Sequence, residues 1–298
     1  MEYSSSKPND PMDAHHTGNS RHTSAEHTIP NQSMSWNDPN VRKYPDTIAL
    51  KIPGYAHLYE MTDRLITAQL EAQARTQTAD PNVLIIGAGG GQELITFGGQ
   101  HAAWSFTAVD PSERMLDLAR QRVAQAGIRS KISFVTGTLE GLPGELLQEL
   151  FQEQPKEQSG KQIEESHAEP IYDAATCLLV LHFLLSMESK RALLQQISAR
   201  LKPGAPFCLA SINGNPQEAA FSIQMQAWKR HMLDQGIPLE DWERFAASIG
   251  RESDPVSNTA IQGMLVDAGF THITRYFGAF LVNAWLAVKG GESTHDKG

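Results

Sequence analysis

Asn82-Val83-Leu84-Ile85-Ile86-Gly87-Ala88-Gly89-Gly90-Gly91-Gln92-Glu93 decides the fold. Val83 to Ile86 is an unbroken apolar run, which reads as a buried strand. Four glycines follow within five positions, at 87, 89, 90 and 91, and a helix-compatible stretch comes next. Strand, tight turn and helix start make up a nucleotide-binding βα unit. The second cue lies 23 residues beyond Gly87, where Phe106-Thr107-Ala108-Val109 ends in Asp110. A carboxylate at the tip of a neighbouring strand accepts hydrogen bonds from both hydroxyls of a ribose. The two cues together imply an adenosine-containing ligand.

Glycine spacing narrows the choice of ligand. A dinucleotide site needs G-x-G-x-x-G, so that a pyrophosphate can approach the helix N-terminus. Here Gln92 stands at the sixth position, and Glu93 opens the helix with a charge that repels phosphate. No G-x-x-x-x-G-K-[ST] occurs, which argues against a nucleoside triphosphate in a P-loop. The pattern G-x-G-x-G followed by a strand-end acid resembles the first two motifs of the class I S-adenosylmethionine (SAM) methyltransferases. Later segments follow in that family's order. Lys131 to Pro143 resembles the third strand and its adenine-contacting loop. Tyr172 to Phe183 resembles the fourth strand and the substrate-facing turn. Arg191 to Leu201 is an amphipathic helix stopped by Lys202-Pro203-Gly204. Phe207 to Ile212, Thr271 to Tyr276 and Ala284 to Val288 supply three more strands. The resemblance implies a doubly wound α/β sheet of seven strands, Rossmann-like, with SAM as cofactor. It places Gly87, Ala88, Gly89, Gly91, Asp110, Pro111, Met115, Gly137, Thr138, Leu139 and Leu178 at the cofactor.

Upstream, Tyr44-Pro45-Asp46-Thr47-Ile48 and Ile52-Pro53-Gly54-Tyr55 are similar to the N-terminal region of the bacterial carboxy-SAM synthases. That similarity resumes at Ala192 to Gly204 and at Trp242-Glu243-Arg244. It implies a cofactor contact for Tyr55, a carboxylate clamp for Arg244 and a homodimer. The chain departs from that branch at its glycine turn, at Thr138, where the branch has an aspartate, and at Leu178, where it has an asparagine.

Length and composition bound the rest. The chain has 298 residues, enough for one substantial core. Its net charge is −9, with no Lys/Arg-rich run, which disfavours nucleic acid as substrate. Cys177 and Cys208 fall inside predicted strands and read as apolar core residues of a reduced, cytoplasmic protein. The longest apolar stretch, Ala174 to Leu185, is too short for a bilayer, and no secretory leader pattern opens the chain. Residues 1–35 form a polar tail holding four of the eleven histidines, His15, His16, His22 and His27. A tail gives no ordered frame for a metal, so no metal site is expected. Residues 36–78 read as an N-terminal helical cap, and 79–289 as the SAM-binding domain. Within that domain 144–170 is a polar surface insertion, helical in part, and 213–263 is a helical insertion over the substrate. Residues 290–298 form a flexible tail.

Methyl transfer from a sulfonium is an in-line displacement with an activated leaving group. It needs alignment more than acid–base chemistry. His182, just past the fourth strand, is the candidate base. Arg244 can hold a carboxylate through a bidentate pair. Arg64, Tyr59, Trp228 and Trp242 are further pocket candidates. The leading expectation is O-methylation of a carboxylate on a small organic acid, one dicarboxylate arm resting on Arg244. Carboxy-SAM formation, methylation of tRNA or protein, and a non-catalytic SAM-binding role are the alternatives.

Overall fold

The computed structural model describes residues 43–73, 80–139 and 172–291. The expected tail over 1–35, the insertion over 144–170 and residues 292–298 lie outside them.

Interior strands arise where apolar residues leave no polar face. β1 (Asn82–Ile86), β4 (Ala174–Leu178) and β5 (Pro206–Ile212) are almost wholly buried and parallel. β2 (Ser105–Asp110) and β3 (Lys131–Thr136) extend the parallel ladder on one side. On the other, β7 (Val282–Lys289) pairs antiparallel with β5, and β6 (Phe270–Ala279) with β7. The order is β3-β2-β1-β4-β5-β7-β6, the doubly wound seven-stranded sheet expected. The order of winding reverses between the parallel strands β1 and β4, since the chain steps outward from β1 to β2 and β3 and then returns to β4 on the other side. Such a switch point opens a crevice beyond the strands' carboxyl ends.

Alternation along β1 divides the core. Val83 and Ile85 face one layer, with α2 (Tyr55–Gln73) and α3 (Gln92–Gln100), through Leu58, Ile66, Leu94 and Phe97. Leu84 and Ile86 face the other, with α5 (Met187–Arg200), through Leu194 and Ile197. This is the period of two that a strand imposes. Between β2 and β3 lies α4 (Glu113–Gln125), started by Ser112, whose hydroxyl accepts from the Met115 N–H at 3.3 Å.

α1 (Tyr44–Lys51) precedes α2 across the Pro53-Gly54 turn. After β5 come α6 (Ala219–Asp234), α7 (Leu239–Ser248) and α8 (Asn258–Asp267). Trp228 of α6 is buried and donates its indole N–H to the Lys51 carbonyl at 2.6 Å. Trp242 of α7 meets Phe245 edge-on, 5.6 Å between centroids. Both tryptophans are therefore core. Among the described residues no helix is long and apolar enough to cross a membrane.

Candidate functional site

The glycine turn is held from three directions. Gly87 sits at φ +68°, and an added Cβ would stand 2.2 Å from Val180 Cγ2. Gly91, at φ +75°, caps α3, and a Cβ there would meet Ala119 at 2.9 Å. Only glycine satisfies both the left-handed backbone and the close approach. From α4, Arg122 donates to the Gly90 carbonyl and, at 3.0 Å, to Gln92 Oε1. The third brace is Asp110. Its Oδ2 accepts from the Gly89 N–H at 2.8 Å and its Oδ1 from the Ser112 N–H at 2.9 Å. Burial raises the Asp110 pKa, and these two bonds pull it back. A carboxylate has about four acceptor positions, so the turn leaves Asp110 capacity for a ribose.

A cavity of about 590 Å³ opens beyond the strand tips, within the ~300–1,000 Å³ usual for small-molecule sites. It brings together Tyr55, Gly87, Ala88, Gly89, Asp110, Pro111, Met115, Gly137, Thr138, Leu139 and Leu178. Gly91 is the one predicted cofactor residue outside the lining, and its work is in the turn. Gly87 to Gly89 and Asp110 would hold the sugar and the amino-acid part of SAM. Met115, Thr138 and Leu139 offer a slot for adenine. The fit shows in Gly87, where any side chain would displace Val180 of the wall.

The two predicted catalytic residues lie elsewhere. His182 is 3% exposed and absent from the lining. The 3-10 turn Leu181–Phe183 directs its ring at β5, where Nδ1 accepts from the Ile212 N–H at 3.4 Å and lies 3.5 Å from Ser211 Oγ. Burial, with Lys190 nearby, lowers its pKa to about 3. The expectation of a base at the acceptor is thus corrected: the imidazole is a neutral core group, while its neighbour Phe183 reaches the cavity. Arg244 is exposed on α7 and paired with Asp241, also off the lining. A helix that docks on its Trp242 face turns the next residues but one to solvent, and Arg244 is one of them. Arg64 is exposed on α2. Tyr59 lines the cavity, whereas Trp228 and Trp242 do not. Of the 213–263 insertion, Glu252 alone reaches the lining.

Other wall residues carried no role in the sequence. Tyr44 and Pro45 of α1 close the cofactor end beside Tyr55 and Tyr59, whose rings lie 4.8 Å apart. Leu179 holds φ +63°, rare for a branched side chain, at the tip of β4, with its N–H bonded to the Ala210 carbonyl at 2.8 Å. Glu93, in the first turn of α3, is 2% exposed, and burial pushes its carboxyl up to about 8. The sequence signalled Glu93 only as a charge that excludes phosphate. Cys177 and Cys208 are free, fully buried and pushed up to about 12. Among the described residues, no three His, Cys, Asp or Glu are grouped to hold a metal.

A family model described as a methyltransferase domain matches residues 84–207. No curated protein sequence matches the chain. Among solved structures, magnesium protoporphyrin IX methyltransferase from Synechocystis PCC 6803, with SAH bound, is 16% identical. The match covers 86% of this chain and 96% of that one, at a TM-score of 0.52. A candidate SAM-dependent methyltransferase from Methanococcus maripaludis is also 16% identical, covering 88% and 98%, again at 0.52. These likenesses carry the fold: it is that of the class I methyltransferases. A candidate O-methyltransferase from Nostoc punctiforme is 17% identical at a TM-score of 0.47 over 75% of this chain, which spans 56% of that protein's length.

Proposed function

We propose, from the match of residues 84–207 to a methyltransferase domain and from the cavity, that the protein moves the methyl group of SAM onto an oxygen of a small, largely apolar organic acid. The carrying observation is the cavity wall. From the glycine turn and Asp110 it runs past Leu178 and Leu179 to an apolar end at Phe183, Leu184 and Leu193. Among the described residues no histidine lines it. An acceptor that is already anionic at neutral pH needs no general base, and a carboxylate meets that condition. Alignment of oxygen, methyl carbon and sulfur is then the main demand on the protein. Arg244 gives no anchor inside this cavity, so the reading moves from a dicarboxylic to a monocarboxylic acid.

Glu252 at the cavity lining favours a second reading. A carboxylate there can take the proton of a hydroxyl acceptor.

The test is incubation with SAM and a panel of monocarboxylic, dicarboxylic and hydroxylated small molecules, with products read by mass spectrometry. A gain of one methyl on an acid, retained in Glu252→Gln, supports the first reading. Methylation confined to hydroxyl acceptors and lost in Glu252→Gln supports the second. Carboxy-SAM formed in a sample with an added keto acid would replace both, and so would SAM binding without any product.

A further inference from the structure

Glu93 poses a problem that the glycine turn does not solve. Its Oε1 has no hydrogen-bond partner among the described residues, although the residue is 2% exposed and lines the cavity. A buried ionisable oxygen without a partner is costly, and native proteins keep few of them. The titratable groups within its electrostatic reach come from five elements. They are Tyr44 of α1, Tyr55 and Tyr59 of α2, Asp110 of β2, Cys177 of β4 and Tyr276 of β6. None of these is a cation. Arg122 of α4 reaches the field of Tyr55, but its guanidinium is bonded to Gly90 and Gln92. Burial and the Asp110 charge both favour the neutral carboxyl, and a bond from the Glu93 backbone N–H opposes them.

Arg122, the one cation on the lining among the described residues, is turned to Gly90 and Gln92, so no cation is bonded to Glu93, and SAM brings one. The sulfonium distinguishes SAM from its demethylated product, S-adenosylhomocysteine (SAH). Ammonium and carboxylate are common to both. Building on the proposed methyl transfer, we propose that Glu93 is the charge partner of the cofactor's sulfonium. Its carboxyl gives a proton to solvent as SAM enters, and takes one back when the methyl has gone and SAH remains. The site thereby tells fresh cofactor from spent cofactor by charge, and spent cofactor leaves the more easily.

The experiment is calorimetric titration of the wild-type chain with SAM and with SAH at pH 7, each in two buffers of different ionisation heat. SAM should release close to one proton more than SAH at pH 7, where the ammonium of both ligands stays mostly protonated. The SAM-to-SAH affinity ratio should rise about tenfold per pH unit from pH 6 towards 8 and flatten above. In Glu93→Gln both the excess proton and the pH slope should vanish. Equal proton release by the two ligands in the wild type overturns the assignment without any variant. So does an excess that persists in Glu93→Gln. Failure of SAM to bind the wild type at all is a separate result, and removes the methyltransferase reading together with this one.

Discussion

Gly87 is the residue on which most of the site converges. An alanine there must hold φ +68° and drive its methyl into Val180. Gly87→Ala should lose roughly 2–4 kcal/mol of stability in urea unfolding. Val180→Ala added to it should recover the steric part but not the backbone part, a coupling of roughly 1–2 kcal/mol. Strict additivity would mean that the contact carries no energy. His182 makes a prediction of the opposite kind. Its folded pKa, about 3, lies below the ordinary histidine value, so the unfolded chain binds the extra proton. The stability it supports is complete above pH 6.5 and drains away as pH falls towards 3. Between pH 7 and pH 5 the wild type should lose about 2 kcal/mol more than His182→Gln. Equal losses would show that the ring titrates alike in both states. That the glycine turn and Asp110 share one cavity wall was legible because this part is built from backbone and from a single strand-end acid. Gly87, Gly89 and Asp110 declare their work by residue type. His182 and Arg244 did not, because side-chain direction depends on turns that spacing does not encode. One residue's shift along the 3-10 turn put Phe183 where His182 was expected.

At the scale of elements, every strand was readable from apolar, β-branched runs closed by turn residues, including the antiparallel pair at the end. The helices of the insertion were readable too, from their aromatic faces. What those faces cover was not, since an amphipathic pattern names an inside but not a neighbour. α6 uses Trp228 to grip the last carbonyl of α1, and α1 carries Tyr44 and Pro45 to the cavity. The insertion therefore meets the cavity chiefly through α1, with Glu252 its own residue on the lining. Trp228→Phe removes one hydrogen bond and strands the Lys51 carbonyl, at about 1–3 kcal/mol. If α1 is held by this bond, SAM affinity measured by calorimetry should drop several-fold in that variant. Unchanged affinity beside lowered stability would confine the bond to folding.

For the whole molecule, cofactor and fold should stabilise one another, because the cavity draws its wall from the five helices α1 to α5, the strands β1, β2 and β4, and the turn after β3. Ligand at 100 times its Kd adds about 2.7 kcal/mol. For a domain of this size that is a Tm rise of about 5 °C. Scanning fluorimetry with SAM reads it directly, and a flat profile at millimolar SAM would mean that the cavity does not take the cofactor.

SAM is an alkylating agent, and a protein that stores one is exposed to its own reagent. Thiolates are the nucleophiles most at risk, and this chain has two cysteines. Both are sealed inside the sheet and held as thiols at any physiological pH. Among the described residues neither cysteine lines the cavity, so both thiols are kept away from the cofactor by where the fold places them. The enzyme should outlast electrophiles such as iodoacetamide with its activity intact, a durability set by placement rather than by repair.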